Sequence, residues 1–413
     1  MKNLFKSQIT SNLFSLTSAE IISRLLGFLT IVYLGRILDK EGFGIIGFAG
    51  AFVSYFVLAV NFGFNTYGAK EVAKDKVLTS KFVNNILTLR LFLAALLIIL
   101  LIIIVFLTQR NILVKYVILI TGLNILSNAI ALNWVFQAVE KMQYIALRQI
   151  ISGFLSLIGV ILFVHSKNDL LIAALILSAS ILIGNVWFIP VYKKLFGKIR
   201  FEYSFLFWKK LIVESFPLAV ASIMIGIYYN LDMVMLGYMK PETDVGSYNA
   251  AYKIFLLSIV PFGLIFSSFL PTLSRIGLNK SQEFTSTLKK YALFLVGTGI
   301  FSSLLLFFFS KEIVQLVFGE RYLASYLPLS ILAVNVLIIS INVFLGNPMM
   351  VWGKQKEYSI AITFGAIANI ILNFLLIPKY SYTGAAVATV LSETTVFVGL
   401  FYLFKKFVKG LVQ

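Results

Sequence analysis

The stretch ILTLRLFLAALLIILLIIIVFL at residues 86–107 decides the class of this protein. Its only charged residue is Arg90, and about 20 mostly apolar residues suffice for a helix to cross a bilayer. The whole 413-residue chain has the same character, since 60% of its residues are hydrophobic and 13% are charged. Soluble domains carry roughly 25% charged residues. We therefore exclude a soluble enzyme, a disordered protein and a small membrane-anchored domain.

Twelve apolar runs of similar length predict an all-α polytopic membrane protein with about 12 transmembrane helices. Between them, the longest polar stretches are residues 65–85, 193–211 and 272–289. The predicted spans are 14–36, 44–64, 86–107, 112–136, 145–165, 170–192, 212–237, 247–271, 290–309, 326–350, 357–377 and 383–404.

The distribution of Lys and Arg predicts the orientation of these spans. If the N-terminus is cytoplasmic, 24 of the 35 basic residues lie in inside segments and 9 in outside segments. Acidic residues show no such asymmetry, which is the positive-inside pattern. We expect both termini in the cytoplasm and no cleavable signal. The net charge of +18 then reflects topology and lipid contact, and we expect no nucleic-acid partner.

Two segments resemble each other and suggest an internal repeat. LGRILDKEGFG at 34–44 and LGYMKPETDVG at 236–246 each join the first two spans of a six-helix half. Halves that both start inside are parallel repeats around an axis along the membrane normal. We predict two parallel six-helix lobes around a central cavity. Their bounds are 1–192 and 212–413, and the cytoplasmic linker is 193–211.

The sequence contains no recognisable catalytic or metal-binding motif. There is no cysteine and one histidine, and we find no Walker A, GxSxG or HExxH pattern. We expect no metal, no cofactor and no enzymatic activity.

Charged residues inside spans are costly and therefore informative, at about 2.5–3.5 kcal/mol each on insertion scales. Glu20 and Arg24 share a helix face and can pair, which leaves a purely structural role open. Asp232 and Lys253 lie at similar depths and can also pair. Glu393 has no evident partner in the sequence.

Three segments resemble Wzx-type polysaccharide (O-antigen) flippases of the multidrug/oligosaccharidyl-lipid/polysaccharide exporter superfamily. They are ISRLLGFLTIVYLGRILDKEGFGIIGF at 22–48, NWVFQAVEKMQYIALRQI at 133–150 and NLDMVMLGYMKPETDVGSYNAAYKI at 230–254. The resemblance implies alternating access and transport of undecaprenyl-pyrophosphate-linked oligosaccharide repeat units from the inner to the outer leaflet of the bacterial inner membrane. It implies contacts with membrane lipids, and with polysaccharide polymerase and chain-length proteins.

The resemblance also implies roles for particular residues. Arg24 and Lys253 would bind the pyrophosphate, for which an arginine fork is well suited. The other candidates are polar cavity or ion-coupling residues (Glu20, Asp232, Glu393, Asn230 and Asn249), sugar contacts (Tyr228, Tyr229 and Tyr252) and the cytoplasmic entrance (Arg90, Arg148, Gln137, Glu140 and Lys141).

Two other functions remain open. The deep parts of the predicted spans hold more acids (Glu20, Asp232 and Glu393, with Glu214 marginal) than bases (Arg24 and Lys253). This excess favours a cation-coupled multidrug exporter of the same superfamily over a purely anion-attracting cavity. A membrane polymerase or glycosyltransferase is disfavoured because the outer loops are short. The tyrosines near Asp232 can equally pack at the outer interface.

Overall fold

The computed structural model describes residues 2–276 and 282–410, and this part of the chain is helical, with no β-strand. Nine of its helices are long and apolar enough to cross a membrane. The bent pair Phe205–Val220 and Ser222–Met239 adds a tenth span. The prediction of an all-α multi-pass membrane protein is confirmed. The count of twelve spans and the two six-helix lobes stay predictions.

The helices of the first half of the chain follow one another with short breaks. In chain order they are α1 (Lys2–Ile37), α2 (Asp39–Asn61), α3 (Phe64–Lys74), α4 (Thr79–Leu107), α5 (Ile112–Thr121), α6 (Leu123–Ala129), α7 (Asn133–Ala138), α8 (Met142–Phe163), α9 (Leu170–Val186) and α10 (Phe188–Phe196).

The second half contains longer helices. These are α11 (Phe205–Met239), α12 (Glu242–Ser258), α13 (Val260–Ile276), α14 (Gln282–Phe308), α15 (Ser310–Phe318), α16 (Tyr326–Val351) and α17 (Gln355–Gly410). Short 3-10 helices span Lys76–Leu78, Lys167–Asp169 and Glu320–Ser325.

The chain divides into two compact units. Unit 1 comprises Met1–Leu38 and Phe48–Gly226, and unit 2 comprises Asp39–Gly47 and Ile227–Gln413. In unit 1, α1 packs along α8, and α9 packs against α5, α6 and α8. In unit 2, α16 packs against both α14 and α17. The predicted lobe boundaries at 192 and 212 are a different division, and they stay a prediction.

Several predicted spans are broken rather than continuous. Phe62 and Gly63 adopt left-handed backbone angles (φ 41° and 74°), so α2 ends there and α3 begins. Part of the polar stretch 65–85 is therefore helical. The predicted span 112–136 is divided among α5, α6 and α7. Apolar character alone does not reveal such breaks, because a broken helix and a straight one have the same composition.

The last two predicted spans form one element with a sharp kink. Within α17, Ser381 has φ 49° and ψ −133°, which no helix accommodates. The Ser381 hydroxyl donates a hydrogen bond to Asp244 at the start of α12. The stretch PKYSY at 378–382, which separates the two predicted spans, therefore contains the kink.

Both of the later polar stretches contain helix. The predicted linker 193–211 is largely helical, since α10 continues to Phe196 and α11 begins at Phe205. Only residues 197–204 are non-helical. Part of the stretch 272–289 lies outside the described residues.

The two glycines that end the repeated segments meet inside unit 2. A Cβ added to Gly44 would lie 2.0 Å from the Glu242 carbonyl oxygen, and one added to Gly246 would lie 1.9 Å from the Lys40 carbonyl oxygen. Beside this contact, the Asn249 side-chain amide donates to the Phe43 carbonyl at 3.0 Å. Glycine is required here because the backbones of α2 and α12 touch.

The glycine contact predicts a specific stability effect. Gly246→Ala should lower the thermal unfolding midpoint of the purified protein, since overpacking costs about 1–3 kcal/mol. Gly263→Ala in α13 is the control. Apart from its chain neighbours and the backbone of its own helix, no described atom lies within 4 Å of its added Cβ. Alanine should therefore leave the midpoint unchanged or raise it. Equal midpoints for the two variants would contradict the close contact.

Candidate functional site

Glu20 and Arg24 form an ion pair on α1 in unit 1. Arg24 Nη2 lies 2.7 Å from Glu20 Oε1, and Arg24 Nε lies 3.1 Å from the same oxygen. The Arg24 side chain is 49% exposed and the Glu20 side chain is 40% exposed. Because the guanidinium is engaged along one edge only, its remaining N–H groups are available to another anion. The pair lowers the cost of both charges without burying either.

Arg90 is a buried cation surrounded by neutral acceptors. Its guanidinium donates to Asn65 Oδ1 at 2.7 Å, to Asn61 Oδ1 at 3.2 Å and to the Ala131 carbonyl at 3.4 Å. The side chain is 1% exposed, and Arg90 Nε has no hydrogen-bond partner among the described residues. These acceptors lie at the breaks between α2 and α3 and between α6 and α7. Arg90 therefore connects the broken spans through hydrogen bonds. Because its side chain is buried, the structure does not support its predicted place at the cytoplasmic entrance.

Arg148 lies in a second polar cluster of unit 1. Its guanidinium donates to Asn185 Oδ1 at 3.4 Å, and the Asn185 amide donates to Ser127 Oγ at 2.9 Å. Arg148 Nε and Ser152 Oγ are buried without hydrogen-bond partners within the described part of the chain. Arg148 is half-buried, so its charge is only partly satisfied.

Of the remaining predicted entrance residues, Gln137 lies near the end of α7, and Glu140 and Lys141 lie in the turn between α7 and α8. Gln137 and Glu140 are exposed, and Glu140 has a left-handed φ of 60°. The Lys141 backbone N–H donates to the Phe136 carbonyl at 2.8 Å, which closes the turn. These three residues are close in sequence.

Asp232 is the centre of a buried polar network in unit 2. Its side chain is nearly inaccessible, at 4% exposure. Tyr248 and Thr389 donate hydroxyl hydrogen bonds to Oδ2, and the Asn369 and Asn373 amides donate to Oδ1. These five residues, the Asp232 network, contain no cation. Asn373 Oδ1 is buried without a hydrogen-bond partner among the residues that the structure describes. The site combines a carboxylate with neutral oxygens, which are the ligands that hard cations prefer.

Glu393 on α17 is also buried, and its partner is an amide. Asn342 on α16 donates to Glu393 Oε2 at 2.6 Å and to the Glu393 backbone carbonyl at 3.2 Å. The hydroxyls of Tyr228 and Tyr252 lie near enough to Glu393 to interact with it electrostatically. Asp232 and Glu393 thus share a design, in which an acid inside unit 2 is stabilised by neutral donors.

The possible pairing of Asp232 with Lys253 is not found among the residues that the structure describes. The Asp232 carboxylate accepts four hydrogen bonds from neutral groups instead. Lys253 is half-buried on α12, and it forms neither an ion pair nor a hydrogen bond with the residues that the structure describes. Four neutral donors thus satisfy the Asp232 carboxylate without a cation.

The candidate sugar contacts have unequal exposure. Tyr229 is 44% exposed, whereas Tyr228 and Tyr252 are each 9% exposed. Tyr252 donates to the Tyr229 carbonyl at 2.9 Å and stacks on Tyr248. Asn230 is half-buried, and Asn249 is occupied by the Phe43 carbonyl described above. Tyr229 and Asn230 are therefore the accessible members of this set, and Asn249 serves the glycine contact.

Sequence reasoning missed the neutral members of these networks. Asn369 and Asn373 are four residues apart in an otherwise apolar span, and Thr389 and Asn342 also interrupt apolar runs. Since uncharged polar groups in hydrocarbon also need partners, this spacing was a usable signal. A search for charged residues alone does not detect this spacing. No group of three or more His, Cys, Asp or Glu residues suited to a metal occurs among the described residues.

Comparison with known proteins places these features in a family. Residues 9–277 match the family described as "Polysaccharide biosynthesis protein", and residues 217–375 match the MatE family. The "Putative O-antigen transporter" of Escherichia coli (strain K12) is 26% identical over 415 residues, which cover 95% of this chain and 96% of the relative.

Two solved structures share the fold. "Lipid II flippase MurJ, inward closed conformation" has a TM-score of 0.77 and 20% identity to this chain. The alignment covers 94% of this chain and 87% of the MurJ chain. An inward-facing multidrug resistance MATE family transporter of the MOP superfamily has a TM-score of 0.74 and 13% identity, with coverage of 94% and 95%. The match to the first family, over residues 9–277, covers well over half of this chain. The chain therefore belongs to the polysaccharide biosynthesis protein family.

Proposed function

We propose that this protein is a flippase that moves undecaprenyl-pyrophosphate-linked oligosaccharide repeat units from the inner to the outer leaflet. The product would serve the synthesis of a surface polysaccharide, O-antigen or capsule. The observation that carries the proposal is the similarity to an O-antigen transporter along 95% of the chain. The MurJ-like fold and the absence of catalytic motifs are consistent with transport rather than chemistry.

We propose the bacterial inner membrane as the location, with both termini in the cytoplasm. The excess of Lys and Arg in the inside segments supports this orientation. Two six-helix lobes that alternate between inward and outward access would carry the cargo, with the segment after α10 as the connection between them. Polysaccharide polymerase and chain-length proteins would act on the flipped product.

We propose that Arg24 binds the pyrophosphate. Its guanidinium is half exposed, lies deep in the predicted first span and uses only one edge for Glu20. A pyrophosphate can engage the free N–H groups while Glu20 holds the guanidinium in place. Lys253 in unit 2 is a second candidate because it is a half-buried cation without an ion pair among the described residues.

We propose that the Asp232 network binds the coupling cation, either a proton or Na⁺. A carboxylate with only neutral partners keeps a net negative charge that a cation can neutralise. Thr389 Oγ1 and the unpartnered Asn373 Oδ1 are further oxygens beside the carboxylate. Glu393 has the same character with a single amide partner, which makes it the secondary candidate.

A cation-coupled multidrug exporter is the alternative function. The buried acids of unit 2 and the fold shared with MATE transporters favour it. Increased drug resistance on expression, without any change in surface polysaccharide, would support this alternative over the flippase.

Substitutions in the Glu20–Arg24 pair distinguish a binding role from a structural one. In a deletion strain, Glu20→Gln should restore surface polysaccharide, whereas Arg24→Gln should trap lipid-linked repeat units on the inner leaflet. The expected loss is about 10- to 100-fold, since hydrogen bonds to charged groups are worth about 1.5–3 kcal/mol. The measurement is the leaflet distribution of the repeat units.

The double variant Glu20→Gln/Arg24→Gln controls for an unpaired charge in the membrane. It removes both charges together, so its failure to transport cannot be caused by an orphaned Glu20. Equal loss in both single variants, with recovery in the double variant, would show that the pair is only structural.

Asp232→Asn should abolish the dependence of transport on a cation gradient. The substitution retains the shape of the side chain but removes the negative charge that attracts the cation. Transport in proteoliposomes would be measured with imposed Na⁺ and pH gradients. Glu312→Gln, at an exposed position of α15, should leave the dependence intact. Unchanged gradient dependence in Asp232→Asn would exclude Asp232 from coupling.

A further inference from the structure

An apolar cavity in unit 1 is left unexplained by the proposed transport. It has a volume of about 240 Å³ and lies between α4, α10 and the non-helical segment 197–204, which we call the connecting segment. Leu87 and Leu91 of α4 and Ile189 of α10 form much of its wall, and Ile199 of the connecting segment closes one side. The charged residue in the wall is Lys193.

The connecting segment is fixed to α4 by directed hydrogen bonds. Glu202 accepts from the Asn84 amide at 2.8 Å and from the Asn85 amide at 2.9 Å. The Arg200 backbone N–H donates to Asn84 Oδ1 at 3.0 Å, and the Glu202 backbone N–H donates to Thr88 Oγ1 at 3.2 Å. Four bonds along one helix face hold the cavity wall in place. The cavity is therefore a built feature and not a gap beneath a loose loop.

The positive charge around the cavity is not neutralised by the protein. Residues 193–210 contain six basic residues and one acid, Glu202, whose carboxylate is engaged by two asparagines. All six basic side chains are exposed, and none forms an ion pair with a described residue. They are Lys193, Lys194, Lys198, Arg200, Lys209 and Lys210.

Large apolar side chains are exposed among these cations. Phe201 is 64% exposed, Tyr203 79%, Phe205 80% and Leu206 81%. Aromatic and basic residues that alternate in this way are typical of segments at the boundary between headgroups and acyl chains. Water would make such exposure costly, whereas the membrane interface satisfies both kinds of side chain.

We propose that the cavity and its basic rim bind an anionic phospholipid of the cytoplasmic leaflet. One acyl chain would occupy the apolar cavity, and the phosphate would lie on Lys193 and the neighbouring cations. A phospholipid has an apolar chain next to a negatively charged headgroup, which matches an apolar cavity next to a rim of cations. Bound lipid would anchor the connecting segment to the membrane. The inference rests on the proposed topology and not on the proposed cargo.

The test measures stabilisation of the full-length protein by defined lipids. In neutral detergent, phosphatidylglycerol should raise the thermal unfolding midpoint of the wild type by at least about 2 °C, because a ligand of the folded state stabilises it. Phosphatidylcholine and inorganic pyrophosphate should not. Lys193→Gln, which removes the headgroup contact, and Leu91→Trp, which fills the cavity, should each lose at least half of the shift.

Two matched variants control for charge and bulk. Lys167→Gln removes a positive charge at the opposite end of the same candidate span, Lys167–Phe196, and Leu96→Trp adds bulk at an exposed site on α4. Both should keep the full shift. Lys193 is exposed, so Lys193→Gln should fold normally and decides the question if Leu91→Trp does not fold.

Three outcomes would overturn the proposal. Equal shifts with phosphatidylglycerol and phosphatidylcholine would remove the headgroup requirement. A full phosphatidylglycerol shift in Lys193→Gln would remove the lysine contact. A larger shift with undecaprenyl phosphate than with phosphatidylglycerol, lost in Leu91→Trp, would assign the cavity to the cargo lipid instead. Loss of this site without loss of flipping would leave the proposed function untouched.

Discussion

An ionised side chain inside hydrocarbon must be compensated, and this constraint shapes the interior of both units. Arg90 is compensated by amide and carbonyl oxygens, Asp232 by hydroxyls and amides, and Glu393 by a single amide. Glu20 and Arg24, in contrast, compensate each other as an ion pair. Neutral partners lower the cost of burial but leave the net charge in place. Of these buried side chains, Arg90 lies in unit 1, whereas Asp232 and Glu393 lie in unit 2 together with the half-buried Lys253.

Residual charge of this kind suits a transporter better than a scaffold. A scaffold gains nothing from a buried charge, because replacing it with an apolar residue is often neutral or stabilising. A transporter needs sites whose charge is satisfied only when the cargo or the coupling ion is bound. The half-exposed Arg24 guanidinium and the buried Asp232 network are the groups that we propose for these two roles. In this proposal, a cation binds the cargo and an acid binds the coupling ion, which accounts for the acids deep in the spans.

Much of the fold could be predicted from the sequence, because membrane helices depend on length and hydropathy. The repeated segments correctly drew attention to Gly44 and Gly246, although their mutual contact depends on backbone approach that no pattern encodes. Breaks such as the one at Phe62, and the kink at Ser381, depend on local backbone angles within apolar or mixed sequence. Charge alone suggests Lys253 as a partner for Asp232, because it ignores neutral donors from distant helices. Which asparagines meet that carboxylate depends on tertiary packing.

The most direct test of the account is a transport measurement in proteoliposomes with the wild-type protein. Vesicles would contain a pyrophosphate-linked oligosaccharide lipid on one leaflet, and its appearance on the other would be followed with a lectin or a membrane-impermeant enzyme. The account predicts protein-dependent movement of this lipid, and no uptake of a cationic dye under the same gradients. Dye transport without movement of the lipid would contradict it and would assign the acids of unit 2 to drug export.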